Sequence, residues 1–158
     1  MSDWNSLQYL KFEKQRTQPV RDLLMRLKSD APHTIADIGC GPGNSTSAVA
    51  EYFPKAELVG IDSSPNMIEK AKARYPRLKF KLCDALDLEG KYDLLFSNAC
   101  LQWIPNHTAL IPALMSKLNE KGVLAVQVPM NGEEPLFQIK RDRCRSQMGA
   151  AKGKAPAE

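Results

Sequence analysis

The chain has 158 residues, of which 43% are hydrophobic and 25% are charged. This length suits one domain with a buried core, and the composition excludes a fully disordered chain, a collagen and a coiled coil. The net charge of +4 arises entirely in the last twenty residues, with six Lys and Arg against two acidic residues, so no basic folded face for nucleic acid is indicated.

Residues 1–32 are predicted to be mainly helical over 5–28, with Pro19 starting a second helix and Pro32 ending the segment. Strands then alternate with helices. The predicted strands are 34–38, 56–61, 78–83, 92–97 and 122–128, and the predicted helices are 44–53, 65–75 and 110–118. Asn44 or Ser45 is expected to cap the first of these helices, and Ser64 the second. The alternation predicts an α/β fold with an open parallel sheet and helices on both faces.

A glycine-rich turn follows the first strand, with the sequence Asp37-Ile-Gly-Cys-Gly-Pro-Gly43. Glycines allow a backbone to approach a ligand closely, and the following helix presents its positive end to the same place. In open α/β sheets, ligands bind at the carboxyl ends of the strands. The turn alone is weak evidence, because several nucleotide-binding folds share it.

Two acidic residues end the next two strands. Asp62, which follows Gly43 by 19 residues, can accept hydrogen bonds from both hydroxyls of a ribose. Asp84 can accept one from an adenine amino group. Either residue alone could equally be a turn former or a helix cap.

The spacing of the turn separates cofactor classes. A dinucleotide fingerprint requires a glycine where Asn44 stands, and a phosphate-binding P-loop requires a Gly-Lys-Ser/Thr sequence that is absent here. No Lys or Arg lies in the turn. An adenosine-containing ligand without phosphate is therefore favoured over NAD or ATP.

With these features, the sequence resembles the class I S-adenosylmethionine-dependent methyltransferases. The resemblance covers about residues 2–135 and rests on Asp37–Gly43, Gly60–Met67 and Asp84, together with Trp4-Asn5, Asn98-Ala99, the sequence Leu-Gln-Trp103 and the segment 122–127. Within this family, it is closest to the members that methylate trans-aconitate. It implies a Rossmann-like sheet, S-adenosylmethionine as the cofactor and S-adenosylhomocysteine as the product.

The resemblance also implies roles for individual residues. Asp62 would hold the ribose, Met67 would pack on the adenine, Asp84 would hold the adenine amino group, and Asn98 would lie beneath the methionine moiety. The complete set of cofactor-binding candidates is Asp37, Gly39, Cys40, Gly41, Gly43, Asp62, Ser63, Met67, Asp84, Ala85 and Asn98. Candidates for the lid and the substrate site are Trp4, Tyr9, Arg16 and Trp103. By this scheme residues 1–32 form a helical lid, 33–130 the cofactor-binding core and 131–158 an atypical, partly disordered basic tail.

The expected reaction is O-methylation of a carboxylate on a small organic acid. Such a carboxylate is ionised at neutral pH, so it can attack the methyl group directly, and no catalytic acid, base or metal is expected. Arg16 is the leading candidate for gripping the acid, because guanidinium binds carboxylate bidentately.

Members of the family have a seven-stranded sheet, whereas this sequence loses its resemblance after the fifth strand. We therefore expect a shortened chain with an uncovered sheet edge that could self-associate. A non-catalytic cofactor-binding fragment and an NAD-dependent oxidoreductase remain alternatives. No cysteines show CxxC spacing, the N-terminus lacks a secretory pattern, and no apolar run is long enough for a membrane, so a reduced cytoplasmic protein without a membrane partner is expected.

Overall fold

The computed structural model describes residues 13–27 and 31–129, with side chains from residue 17 onward. Five strands form one parallel sheet in the order β3-β2-β1-β4-β5. The strands are β1 (Thr34–Ile38), β2 (Glu57–Asp62), β3 (Lys79–Leu82), β4 (Tyr92–Asn98) and β5 (Leu118–Gln127). The predicted α/β class is confirmed, and β3 lies at one edge of this sheet.

The described residues include four α-helices and one short 3₁₀ helix. The α-helices are α1 (Glu13–Arg26), α2 (Asn44–Tyr52), α3 (Pro65–Arg74) and α4 (His107–Met115), and the 3₁₀ helix is Leu101–Trp103. The predicted start of α3 is confirmed, since the Ser64 side chain accepts a hydrogen bond from the Met67 N–H and Pro65 occupies the first turn.

Three local predictions are wrong. Pro19 does not start a second helix but lies inside α1. Neither Asn44 nor Ser45 caps α2. The N-cap is Gly43, which has a left-handed conformation and no side chain that could accept a capping hydrogen bond. The last helix begins at His107 rather than at residue 110 and ends at Met115, with Pro112 inside it.

The fifth strand is longer than predicted, because its first residues pair irregularly with β4. Tyr92 pairs with Leu118, whereas Leu94 already pairs with Val123, so the register shifts between them. Lys121 has a φ of 63° within this stretch, which marks a bulge. The regularly paired part of β5, residues 123–127, therefore lies within the predicted strand 122–128.

Both faces of the sheet are covered by apolar side chains. Successive side chains of a strand point to opposite faces of the sheet, so the side chains of β1 pack into two separate layers. Ile35 packs with Val20 of α1 and Val49 of α2, while Ile38 packs with Leu110 and Leu114 of α4 on the other face. The prediction of helices on both faces is confirmed.

The amino ends of three strands are tied together by Asp93. Its Oδ2 accepts hydrogen bonds from the N–H groups of His33 and Thr34 and from the Thr34 hydroxyl, and its Oδ1 accepts one from the Asn119 side chain. These hydrogen bonds hold the pKa of Asp93 below its usual value. This group of hydrogen bonds, here called the Asp93 clamp, lies at the amino ends of the strands, whereas the glycine-rich turn lies at their carboxyl ends.

The order in which the chain adds strands to the sheet reverses between β1 and β4. Chain order runs outward from β1 through β2 to β3 on one side, and from β4 to β5 on the other. Crevices at such switch points are the usual ligand sites of open α/β sheets. None of the described helices is both long and apolar enough to cross a membrane.

Candidate functional site

The loop after β1 is bound to the end of β2 by backbone hydrogen bonds. The N–H groups of Gly39 and Cys40 donate to the carbonyl oxygen of Ile61, at 2.8 and 2.9 Å. Gly39, Gly41 and Gly43 have φ values of 72°, 54° and 92°, all in the region that favours glycine. The predicted glycine turn therefore has a conformation that other residues adopt only under strain.

Asp62 joins this loop to the start of α3. One carboxylate oxygen accepts a hydrogen bond from the Gly41 N–H at 2.9 Å, and the other accepts one from the Ser64 N–H at 2.9 Å. A carboxylate can accept about four hydrogen bonds, so both oxygens keep capacity for a ligand. The side chain is half-buried at the end of β2, where hydroxyl groups of a ligand could reach it.

Asp37 is fully buried beneath the first turn of α2. Its Oδ2 accepts hydrogen bonds from the hydroxyls of Ser45 and Thr46, both at 2.6 Å, and its Oδ1 has no partner among the described residues. Burial, and to a smaller extent the nearby Asp62, raise the pKa of Asp37 to about 6, although the hydrogen bonds from Ser45 and Thr46 act to lower it. Asp37 therefore fixes α2 to the loop and adds a buried acidic group behind it.

The tips of β1 and β4 are joined by two side chains. The buried Ser97 hydroxyl donates to the carbonyl oxygen of Ile38 at 3.0 Å. A Cβ added at Gly39 would collide with the Cβ and Sγ of Cys100, so this cysteine packs directly on the glycine. Gly39 is thus needed for the close approach of the two strand ends as well as for its positive φ.

The charges of three aspartates at the strand ends act on one thiol. Burial first, and then the charges of Asp62, Asp37 and Asp84, raise the pKa of Cys100 to about 11. Burial, with Asp37 and Asp62, also raises the pKa of the Cys40 thiol. The ends of β1, β2, β3 and β4 therefore converge on one acidic region.

The other predicted cofactor residues line the same edge. Asp84 is exposed and its Oδ1 accepts a hydrogen bond from the Leu86 N–H at 2.9 Å, while the adjacent Ala85 is buried. Ser63 is exposed between Asp62 and Ser64, and Met67 is half-buried in the first turn of α3. Asn98 is half-buried at the last position of β4.

Gly43 is positioned by packing. A Cβ added there would lie 2.8 Å from Tyr75 Cδ2 and 2.9 Å from Phe80 Cζ. Gly43 therefore allows α2 to start against the aromatic side chains near α3 and β3. Its direct contact with a ligand stays a prediction.

Of the four predicted lid and substrate residues, only Trp103 has its side chain in the described part of the chain. Trp103 belongs to the 3₁₀ helix and is 67% exposed. Trp4 and Tyr9 lie outside the described residues, and so does the side chain of Arg16, whose backbone belongs to α1. Their roles stay predictions.

Sequence reasoning missed four side chains that hold the site together: Ser45, Thr46, Ser97 and Cys100. A small hydroxyl residue in the first turn after an acidic strand end could have suggested the first two. Ser97 could have been noticed as a polar residue inside an otherwise apolar central strand, since buried hydroxyls have partners. Nothing in the sequence pairs Cys100 with Gly39.

The arrangement suits a ligand that carries positive charge and hydroxyl groups. Asp37, Asp62 and Asp84 supply negative charge, and Asp62 and Asp84 supply hydrogen-bond acceptors. In the part of the chain that the structure describes, no three His, Cys, Asp or Glu side chains are grouped to hold a metal ion.

The family described as "Methyltransferase domain" matches residues 29–155. This match covers the glycine turn, Asp62, Asp84 and the whole sheet, and the chain therefore belongs to the methyltransferase-domain family.

Curated relatives within this family share a single name. A trans-aconitate 2-methyltransferase of Methylobacterium radiotolerans is 49% identical over 143 residues, which are 89% of this chain and 55% of the relative. A protein of the same name from Azoarcus is 42% identical, covering 90% of this chain and 57% of the relative. That of Shigella dysenteriae is 43% identical, covering 99% and 63%. The chain thus spans little more than half the length of the first two relatives.

Solved structures share the fold. The plantazolicin methyltransferase BpumL, solved in complex with SAH, has a TM-score of 0.63 at 24% identity and covers 79% of this chain and 53% of its own. DesVI of Streptomyces venezuelae has a TM-score of 0.66 at 18% identity and covers 81% and 59%. The prediction of a class I methyltransferase fold is confirmed.

Proposed function

We propose that this chain binds S-adenosylmethionine and transfers its methyl group to a carboxylate of a small organic acid such as trans-aconitate. The observation that carries the cofactor assignment is Asp62, which ends β2, holds the glycine loop through Gly41 and keeps acceptor capacity on both oxygens. The names of the relatives support the acid as the acceptor.

The residues present fit this cofactor. S-adenosylmethionine carries a sulfonium and an ammonium group, and the ends of β1, β2 and β3 carry three aspartates whose charges all act on the Cys100 thiol. One of these, Asp37, has a buried oxygen without a described partner. Negative charge in a partly desolvated crevice stabilises a cationic ligand.

Each part of the cofactor is assigned to the residues at one or two strand ends. Asp84 at β3 would accept from the adenine amino group and Asp62 at β2 from the ribose hydroxyls, with Met67 packed on the base. The amino-acid end would then lie over β1 and β4, near Gly39 and Asn98. Asp37, Cys40, Gly41, Gly43, Ser63 and Ala85 would shape or support this surface.

Bound S-adenosylmethionine supplies an electrophilic methyl group on sulfur. The chain's residues hold the donor, align the acceptor carboxylate with the methyl carbon and exclude water, without transferring a proton. Alignment of this kind is worth as much as about 7–11 kcal/mol in favourable intramolecular reactions. This mechanism needs no nucleophilic side chain and no general base.

The acid would be recognised by the lid residues that the sequence singles out. Arg16 would pair with a carboxylate of the substrate, and Trp4, Tyr9 and Trp103 would close the site and face the sulfonium. Trp103 is available for this role, since most of its surface is exposed.

Calorimetric titration with S-adenosylhomocysteine tests the cofactor assignment, and transfer of a labelled methyl group to trans-aconitate tests the reaction. Binding with transfer supports the whole proposal. Binding without transfer to any small acid would instead support the non-catalytic alternative. Binding of NAD in place of the adenosyl compound would revive the oxidoreductase alternative, which the family membership disfavours.

The sheet edge formed by β5 is proposed as a site of self-association. Within the described residues, β5 pairs with β4 alone, and Val128 just beyond it is 38% exposed. Unpaired strand edges are templates for pairing with a second copy.

We also propose a cellular compartment for the protein. Cys40, Cys83 and Cys100 are free in the described part of the chain, as expected in a reducing compartment such as the cytoplasm.

A further inference from the structure

Beyond Asp37 and Phe96, β1 and β4 stop pairing through their backbones. Their ladder ends at this pair, although β1 continues to Ile38 and β4 continues to Asn98. The crevice of the switch point opens at this place. Past this pair, contacts other than the β1–β4 ladder must hold the two strand ends together.

Two side chains bridge the opening. The Ser97 hydroxyl reaches the Ile38 carbonyl at 3.0 Å, one residue past the last paired position. Cys100 then packs on Gly39, one residue further along the loop. Both contacts are sheltered, since Ser97 is buried and Cys100 is half-buried.

The chain between these two residues is held as well. Ala99 has a φ of 54°, and its N–H donates to the carbonyl oxygen of Gln127 at 2.8 Å. The segment 97–100 is therefore fixed to β5 on one side and to the glycine loop on the other. Asn98 lies within it.

We propose that Ser97 and Cys100 are positioning residues for the amino-acid end of the ligand. They fix the distance between Gly39 and Asn98, the two residues assigned to that end, without touching the adenosine end over β2 and β3. This inference rests on the proposed function, because it assumes an adenosyl ligand that runs along the strand tips.

A comparison of two ligands separates positioning from general stability. S-adenosylhomocysteine has the amino-acid end, whereas 5′-methylthioadenosine has the same adenosine and lacks that end. Loss of the Ser97 hydrogen bond in Ser97→Ala should weaken S-adenosylhomocysteine by about threefold to tenfold. The affinity for 5′-methylthioadenosine should change by less than about twofold, because Asp62 and Asp84 keep their places.

Three further variants sharpen the test. Ser97→Thr keeps the hydroxyl and should restore the affinity for S-adenosylhomocysteine. Ser116→Ala is the matched control, since it removes another serine-to-carbonyl hydrogen bond, to Ala113, and should leave both affinities unchanged. Cys100→Leu places extra carbons against Gly39 and should weaken S-adenosylhomocysteine selectively, while the similarly sized Cys100→Ser should not.

Dissociation constants from calorimetry, with thermal unfolding of each variant, decide the matter. Equal weakening of both ligands in Ser97→Ala, or no weakening of either, would overturn the inference. If Ser97→Ala does not fold, the two Cys100 variants decide it by the same criterion. A wild-type chain that binds neither compound would show that the proposed function itself is wrong, and the inference would fall with it.

Discussion

Asp62 and Gly41 are joined by a 2.9 Å hydrogen bond from the glycine N–H to one carboxylate oxygen. This bond connects the end of β2 to the loop after β1, across the 21 residues that separate them in sequence. One side chain therefore both shapes the glycine loop and offers acceptors to a ligand. The consequences of changing it are correspondingly specific.

Asp62→Ala should weaken S-adenosylhomocysteine by about 1.5–3 kcal/mol, or about tenfold to hundredfold, because charge-assisted hydrogen bonds are lost. Calorimetric titration measures the change. The control is Glu120→Ala, which removes an exposed acid at the start of β5 and should leave the affinity unchanged. Unaltered affinity in Asp62→Ala would remove the ribose assignment.

Asp37 should make the chain less stable as the pH rises. Its folded pKa of about 6 exceeds the usual 3.8, so the folded protein binds this proton more tightly than the unfolded chain. The contribution is complete below pH 3.8 and is lost as the pH rises through 6. Its size is at most about 3 kcal/mol.

Urea unfolding of the wild type and of Asp37→Asn between pH 4 and 8 isolates this contribution. The variant cannot ionise, so its free energy of unfolding relative to the wild type should rise with pH over that window. A constant difference between the two proteins would contradict the assigned pKa.

Asp93→Ala should lower the free energy of unfolding by about 1–3 kcal/mol, because the ends of β1, β4 and β5 lose their common acceptor. In the wild type, the lowered pKa of Asp93 gives stability that is present above pH 3.8 and lost as the pH falls through the folded value. Denaturant unfolding measures both effects. Asn119→Ala, which removes one of the hydrogen bonds, should cost less, and an equal cost would argue against the clamp.

Gly43→Ala should destabilise the fold by about 1–3 kcal/mol, since the new methyl meets Tyr75 and Phe80 and the φ of 92° is strained. Gly90→Ala is an unusually close control. Gly90 has the same φ of 92°, but its added Cβ would find its nearest neighbour 3.7 Å away. Thermal unfolding should therefore show a larger loss for Gly43→Ala, and equal losses would mean that the aromatic contact is unimportant.

Self-association through β5 should appear as a dimer in sedimentation velocity. Val128→Glu places a charge beside the edge and should shift the protein to monomers. Met25→Glu, at a 66% exposed apolar position on α1, is the control and should not. A monodisperse wild-type monomer would contradict the proposal.

The sequence was sufficient for the sheet and for the acidic strand ends. Runs such as Thr34–Ile38 are short, apolar and followed by glycine or aspartate, so both their type and their end could be predicted. The start of α4 could not, because the left-handed Asn106 and the tolerated Pro112 depend on packing rather than on local preference. Contacts across the sheet, such as Ser97 with Ile38, require knowledge of strand order.

A methyl donor beside a cysteine would ordinarily invite alkylation of the enzyme itself. With a pKa raised to about 11, the Cys100 thiol stays protonated at neutral pH, and only the thiolate is a strong nucleophile. Burial, and to a smaller extent the carboxylates that would attract a sulfonium, thus keep the neighbouring sulfur protonated and out of competition with the substrate.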